Sequence, residues 1–297
     1  MKRPTLRTYR RCVQIAVALA FILIPWLNSQ RISFAYGNFL SFRLAGFPLA
    51  DPLAVLQITL KNNYLALDLI IGAAVALWLA AALGTVFCSW VCPFGLLSEW
   101  AQGLGKRLLP KGYQGLHAGG LWIKGTIFIL GLTGFLLFST TPVLNQLSLP
   151  AWYSRIFQFI FVQGHLSLAI VAILLLLLIE MLSRRRLWCR DLCPQSVLLV
   201  LAKQLNPRRL QVAFDPAKCI CKGHDHPCAR ACSLDLDPGR TTQLVGTDCN
   251  NCGNCVVACK KRGRALTFQF APGPSAGPAA CDLDQVSAPA KGTEPAP

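Results

Sequence analysis

Cys249, Cys252, Cys255 and Cys259 stand in the order C-x2-C-x2-C-x3-C. Thiolate is a soft ligand, and three cysteines this close on one loop can each take a different iron of a 4Fe–4S cube. Gly253 lies inside the loop, where a positive φ lets the chain turn that tightly. The fourth cysteine falls on the following helix and, in two-cluster proteins, reaches the other cluster. Zinc is the rival reading, but zinc sites more often use two separated C-x2-C pairs, so the run reads as iron–sulfur. Lys260 follows the last cysteine, where proline is usual.

A second group lies upstream, Cys219-Ile-Cys221 and then Cys228-Ala-Arg-Ala-Cys232. Its C-x3-C ending repeats that of the first run, while its C-x-C-x6-C beginning is irregular. If the segment is ferredoxin-like, Cys219, Cys221, Cys228 and Cys259 hold one 4Fe–4S cluster and Cys249, Cys252, Cys255 and Cys232 hold the other. His224 or His226 could replace a cysteine and raise the potential, as in Rieske centres; the plainer reading leaves both in solvent. Leu210–Phe214 and Ala265–Phe270 read as strands entering and leaving this segment.

Four further cysteines form two copies of C-x3-C-P, Cys88 and Cys92 before Pro93, and Cys189 and Cys193 before Pro194. Positions i and i+4 share one face of a helix. Three readings stand open: four thiolates converging on an additional metal centre, two redox-active dithiols, or small residues capping helices that each proline redirects. Repetition at equivalent places disfavours the last. Arg184, Arg185, Arg186 and Arg190 would favour thiolate over thiol, and serve equally as topology determinants.

These groups must be positioned by an apolar chain. Of 297 residues, 54% are apolar and 14% charged, and 14 are cysteine. That balance excludes an ordinary soluble enzyme, which carries roughly 25% charge, and also disorder. Four stretches read as membrane spans: Cys12–Leu27, Leu65–Phe87, Leu121–Phe138 with Lys124 snorkelling, and about Ile156–Leu182. The first lacks a small-x-small cleavage site after its apolar core, which speaks against a signal peptide. Each hairpin of spans is followed by one C-x3-C-P, an internal repeat. All lysines and arginines except Arg31, Arg43, Lys61 and Arg155 fall on one side, so both termini are expected in the cytoplasm. Clustered cysteines in that compartment are metal ligands more often than disulfides. The net charge of +16 needs no nucleic-acid partner, because topology and anionic lipid account for it.

The expected fold is therefore an all-α four-helix transmembrane bundle with a C-terminal α+β two-cluster domain. Its parts are a basic arm (1–11), a membrane domain (12–209), a 4Fe–4S domain (210–270) and a disordered tail (271–297) in which Cys281 stands alone. Asp68 and Glu180 are the ionisable residues at membrane depth that could take protons from a quinol. An interfacial role is an equal alternative for each. His117 and His165 lie near opposite faces and make a poor haem pair.

Four spans, C-x3-C-P after the second and fourth, and the two-cluster segment resemble the NapH/MauN family of ferredoxin-type membrane proteins, related to the C-terminal part of NosR and more distantly to CcoG. The resemblance covers about residues 8–270, and Phe87-Cys-Ser-Trp-Val-Cys-Pro93 and Asp51-Pro-Leu look like the family. It implies a protein of the bacterial cytoplasmic membrane that relays electrons between the quinone pool and ferredoxin-like or cytochrome c-type partners, as the electron-transfer subunit of a quinol dehydrogenase. The MauN side of the family implies instead the maturation of a periplasmic or membrane metalloenzyme. The irregular first loop and the missing prolines after Cys232 and Cys259 depart from the pattern.

Overall fold

The structure is a computed structural model describing residues 5–30, 35–44, 46–62, 66–109, 120–138, 143–163, 168–215, 218–221, 227–236, 238, 247–260 and 263–270. His117, His165, His224, His226, Cys281 and the tail from 271 lie outside the described residues.

The chain opens with α1 (Leu6–Ser29). A three-stranded antiparallel sheet follows, β1 (Ala35–Asn38), β2 (Ser41–Leu44) and β3 (Phe47–Ala50). Then come α2 (Pro52–Asn62), α3 (Leu67–Leu83), α4 (Val86–Trp90) and α5 (Pro93–Leu108). The second half has α6 (Gly120–Phe138), α7 (Val143–Gln146), α8 (Leu149–Gln158), a π turn (Phe159–Gln163) and α9 (Ala169–Ser183). A second π turn (Trp188–Leu192) leads into α10 (Gln195–Leu205). The last segment pairs β4 (Leu210–Phe214) antiparallel to β5 (Leu266–Phe270), as the alternating sequence predicts, around α11 (Pro227–Ala231) and α12 (Asn254–Cys259).

Among the described residues two helices, α1 and α6, are long and apolar enough to cross a membrane. The second expected span ends early, at Leu83. Gly84 takes φ 75 there, which only glycine adopts cheaply, and a Cβ would stand 2.8 Å from Asn251 Nδ2. The fourth expected span is not one helix. Ser148 caps α8 by accepting from Ala151 N, Pro150 begins that helix inside the expected loop, and a π turn ends it. α3 and α9 have 17 and 15 residues, short of the roughly 20 that a full crossing takes.

The two halves are exchanged at their ends. α5, which follows the first C-x3-C-P, packs on α9 of the second half; α10, which follows the second, packs on α3 of the first. Gly105 makes the α5–α9 approach close, since a Cβ there would stand 2.0 Å from the carbonyl oxygen of Met181. The segments expected as outer loops fold back onto the bundle. The Phe39 ring lies 5.3 Å from Phe21 and 5.5 Å from Phe87, and Gln195 Nε2 donates to Ser148 Oγ at 2.6 Å.

Candidate functional site

Both C-x3-C-P motifs are built alike. Cys92 N donates to Phe87 O at 3.0 Å and Cys193 N to Trp188 O at 2.9 Å, each reaching back five residues. The second cysteine is extended in both, with ψ 116 at Cys92 and 107 at Cys193. Proline's ring forces that on the residue before it. The expectation that each pair shares one helix face is thereby corrected, because the helix stops between the two cysteines and restarts at the proline.

The crossed helices hold three of the four motif cysteines, and the fourth, Cys193, has Cys88 and Cys189 as electrostatic neighbours. Cys88 packs where α3 meets α10, against Ala80, Leu199 and Ala202, while Cys92 and Cys189 share the apolar cluster where α5 meets α9. Burial pushes the Cys88 thiol to about 11 and Cys193 to about 12, and neighbouring motif thiols add to both. Cys189 is raised as well, by burial, although Arg186 opposes it from 3.3 Å. Basic neighbours therefore do not make thiolates here; desolvation outweighs them.

Cys232, Cys249, Cys252 and Cys255 line one small cavity, walled by Val212, Leu234, Leu236 and Pro238. Positive φ at Asn251 (52) and Gly253 (75) folds the loop around it, as the spacing predicts for Gly253. Hydrogen bonds that point at sulfur include Leu236 N to Cys232 at 3.4 Å, Asn251 N to Cys249 at 3.4 Å, and Ser233 Oγ to Cys252 at 3.7 Å. Burial raises Cys232 to about 12, with Cys252 adding to it, and raises Cys249 and Cys255 also. Four cysteines around an apolar pocket are a donor set that a polycationic iron–sulfide core would stabilise as thiolates. Among the described residues no three His, Cys, Asp or Glu side chains close on a single ion. A cube spreads its thiolates over four irons, so they stand wider apart than around one metal.

Three of the other four cysteines sit beside this cavity. α11 packs on α12, and Cys228 and Cys259 join one buried cluster with Val212 and Leu266, against which Cys219 packs. Cys221 is buried nearby in sequence but outside that cluster.

The cysteine segment is hydrogen-bonded into the motifs. Thr85 Oγ1 donates to Cys249 O at 3.1 Å and Ser89 Oγ to Asn250 O at 2.6 Å, while Asn251 Nδ2 donates to Leu83 O at 2.8 Å. Lys203 Nζ donates to Thr247 O at 2.7 Å and Cys249 O at 3.0 Å; burial lowers its pKa to about 8. Arg186, 2% exposed, donates to Ser98 Oγ (3.1 Å), Gly95 O (3.0 Å), Ser233 Oγ (3.3 Å) and Cys189 Sγ (3.3 Å). It thus ties α5, the Cys232 loop and the second motif together. Its pKa is raised: burial works against the charge, and Cys189, Glu99 and Glu180 outweigh it.

Other sequence candidates lie apart. Asp68 is exposed and ion-paired with Arg43, whereas Glu180 is fully buried and accepts from Trp188 N at 2.9 Å, next to the second motif. Lys124, expected to snorkel, is instead buried and 3.8 Å from Asp248. The sequence reading missed the structural weight of Glu99, which holds Arg10 at 2.7 Å and Arg11 at 2.9 Å, and of Lys203. A lone glutamate in the amphipathic helix after the first motif was the available signal for Glu99.

A family model described as a 4Fe-4S binding domain matches residues 65–112 and 166–212. Each matched stretch contains one C-x3-C-P, so the internal repeat is a repeat of this domain. Among curated proteins the chain is 28% identical to the ferredoxin-type protein NapH of Escherichia coli K12, covering 89% of this chain and 90% of NapH. It is 28% identical to the methylamine utilization ferredoxin-type protein MauN of Methylobacillus flagellatus, covering 75% of this chain and 74% of MauN. It is 27% identical to the regulatory protein NosR of Pseudomonas aeruginosa, covering 86% of this chain and 33% of NosR. No solved structure matches.

Proposed function

For a chain homologous to the NapH and MauN ferredoxin-type proteins, we propose a membrane-bound iron–sulfur relay that passes electrons between the quinone pool and a redox partner. The observation that carries this reading is the apolar cavity lined by Cys232, Cys249, Cys252 and Cys255, hydrogen-bonded at its rim into both C-x3-C-P motifs. These four cysteines hold one 4Fe–4S cluster, and Cys219, Cys221, Cys228 and Cys259 hold the second. Each cube, when bound, takes up and releases one electron. Cys88, Cys92, Cys189 and Cys193 form either a third centre or a dithiol pair. The match of a 4Fe-4S domain to precisely those two stretches supports a centre there.

The chain's own groups do the rest. Backbone N–H groups and Ser233 donate to the sulfurs, favouring the more negative, reduced state. Leu234, Leu236 and Val212 keep water from the cavity. Glu180, beside the second motif, is better placed than Asp68 to take a proton from a quinol. We read four spans with both termini in the cytoplasm, supported by the one-sided distribution of cations. In that arrangement residues 1–11 form an arm, 12–209 the membrane domain, 210–270 the cluster domain and 271–297 a tail. The partner on the far side is a ferredoxin-like or cytochrome c-type protein.

Likeness to MauN favours a second reading, a redox factor that matures another metalloenzyme. Anaerobic assay of iron and acid-labile sulfide tests the cofactor: about eight of each per chain fits two cubes, and about twelve a third at the motifs. Quinol oxidation by the purified, loaded protein supports the relay; its failure beside rapid reduction of added metal ions supports maturation. A colourless preparation holding stoichiometric zinc would end both.

A further inference from the structure

Lys203, in the last turn of α10, is 2% exposed, yet among the described residues no carboxylate comes within 4 Å of its ammonium. Its hydrogen bonds go to uncharged acceptors, Thr247 O at 2.7 Å and Cys249 O at 3.0 Å. Asp248 attracts it from farther off, but Lys124, 3.8 Å away, draws on the same carboxylate. Arg209 and Lys124 add positive charge around it. The strongest attraction on the ammonium comes from Cys249, one of the four cysteines of the apolar cavity. An interior ion is costly to keep unless an opposite charge offsets it.

We propose that Lys203 is the fixed counter-charge of the iron–sulfur centre at Cys232, Cys249, Cys252 and Cys255, and sets how readily that centre takes an electron. The inference rests on the iron–sulfur reading of that cavity. A cube held by four thiolates is a net anion, and one added electron makes it more negative. A nearby cation therefore favours the reduced state over the oxidised one and raises the potential. Burial keeps water and salt from screening this cation. The rival is a clamp, in which the hydrogen bonds hold the loop and the charge is incidental. Cys249 O also accepts from Thr85 Oγ1 at 3.1 Å, so one carbonyl has a charged and an uncharged donor that can be removed separately.

The test is the midpoint potential of each centre in the full-length, loaded protein at pH 7, followed by EPR during an anaerobic redox titration. Lys203→Met keeps much of the side chain's length and removes its charge, while Cys249 O retains its bond from Thr85. One midpoint should fall so that the reduced-to-oxidised ratio at a fixed potential drops about tenfold, or about 59 mV for one electron. The other midpoint should move less. Lys203→Arg, which keeps the charge, and Thr85→Val, which removes the uncharged donor, should both titrate close to the parent. Unmoved midpoints in Lys203→Met would overturn the inference. So would an equal fall in Lys203→Arg or Thr85→Val, the mark of a clamp, or equal shifts of both centres. If Lys203→Met loads no iron, Asp248→Asn decides: loss of that carboxylate should raise one midpoint, and no shift would overturn the inference. A parent without an EPR signal under dithionite brings down the iron–sulfur reading and the role of Lys203 with it. A signal with unmoved midpoints brings down the role of Lys203 alone.

Discussion

Arg186 makes four hydrogen bonds from a buried site, to two hydroxyls, a carbonyl and a thiol. Removing one member of a buried charged network leaves the others uncompensated, at a cost of about 3–5 kcal/mol. Arg186→Gln should therefore lower the temperature at which the loaded protein loses its visible absorbance in detergent, and Arg186→Lys, which keeps the charge but not the fork, should lower it less. A glutamine variant that melts with the parent would show that the network is incidental. Asp51 carries a pH prediction. Burial raises its carboxyl to about 7, against the Leu53 N–H that lowers it. The unfolded chain sheds this proton near pH 4 while the folded chain keeps it, so folding takes up a proton between those values. Stability should fall as pH rises from about 4 to 7 and level off above, a slope that Asp51→Asn removes. Thermal midpoints across that range check the sign.

At the scale of elements, α5 offers an internal comparison. A Cβ at Gly105 would strike the Met181 carbonyl of α9, whereas one at Gly103 meets nothing within 4 Å. Gly105→Ala should destabilise by at least about 1–3 kcal/mol through overpacking. Gly103→Ala should be neutral or gain up to about 1 kcal/mol in helix propensity. Denaturant midpoints of opposite sign are the expected result, and like signs would mean that the α5–α9 contact is looser than described. The elements themselves were unequally legible. β4 and β5 were visible as strand-like runs beside the cysteines, and α6 as an apolar run interrupted by Lys124. The sheet at Ala35–Ala50 and helix α2 were not read, because four-residue strands and an 11-residue helix carry no long periodic face.

For the whole molecule, the proposed centres should matter less to the folding of the bundle than to that of the cysteine segment. Its own apolar contacts are few and are made largely by the cysteines themselves, in the cluster of Val212, Cys228, Cys255, Cys259, Ala265 and Leu266. Iron removal by an anaerobic chelator should expose residues 210–270 to protease while the helical signal in circular dichroism is largely retained, since metal binding and folding are one equilibrium in such small segments. Loss of the whole helical signal would show instead that docking of this segment holds the bundle together.

Cysteine spacing alone singled out the residues proposed to form an iron–sulfur segment, because spacing decides whether one short loop can reach several irons, and that is a local property. The repeat of C-x3-C-P was equally plain in the sequence. Only the tertiary structure decided that the motif cysteines pack at the helix crossings, that Arg186 and Lys203 donate into the cysteine segment, and that burial overrides the Arg186 charge on Cys189. Those outcomes depend on α5 crossing to α9 and α10 to α3, contacts between residues about 80 to 120 apart in the chain. Nearest-neighbour patterns carry no record of such distances, and desolvation is set by whatever the fold lays over a group.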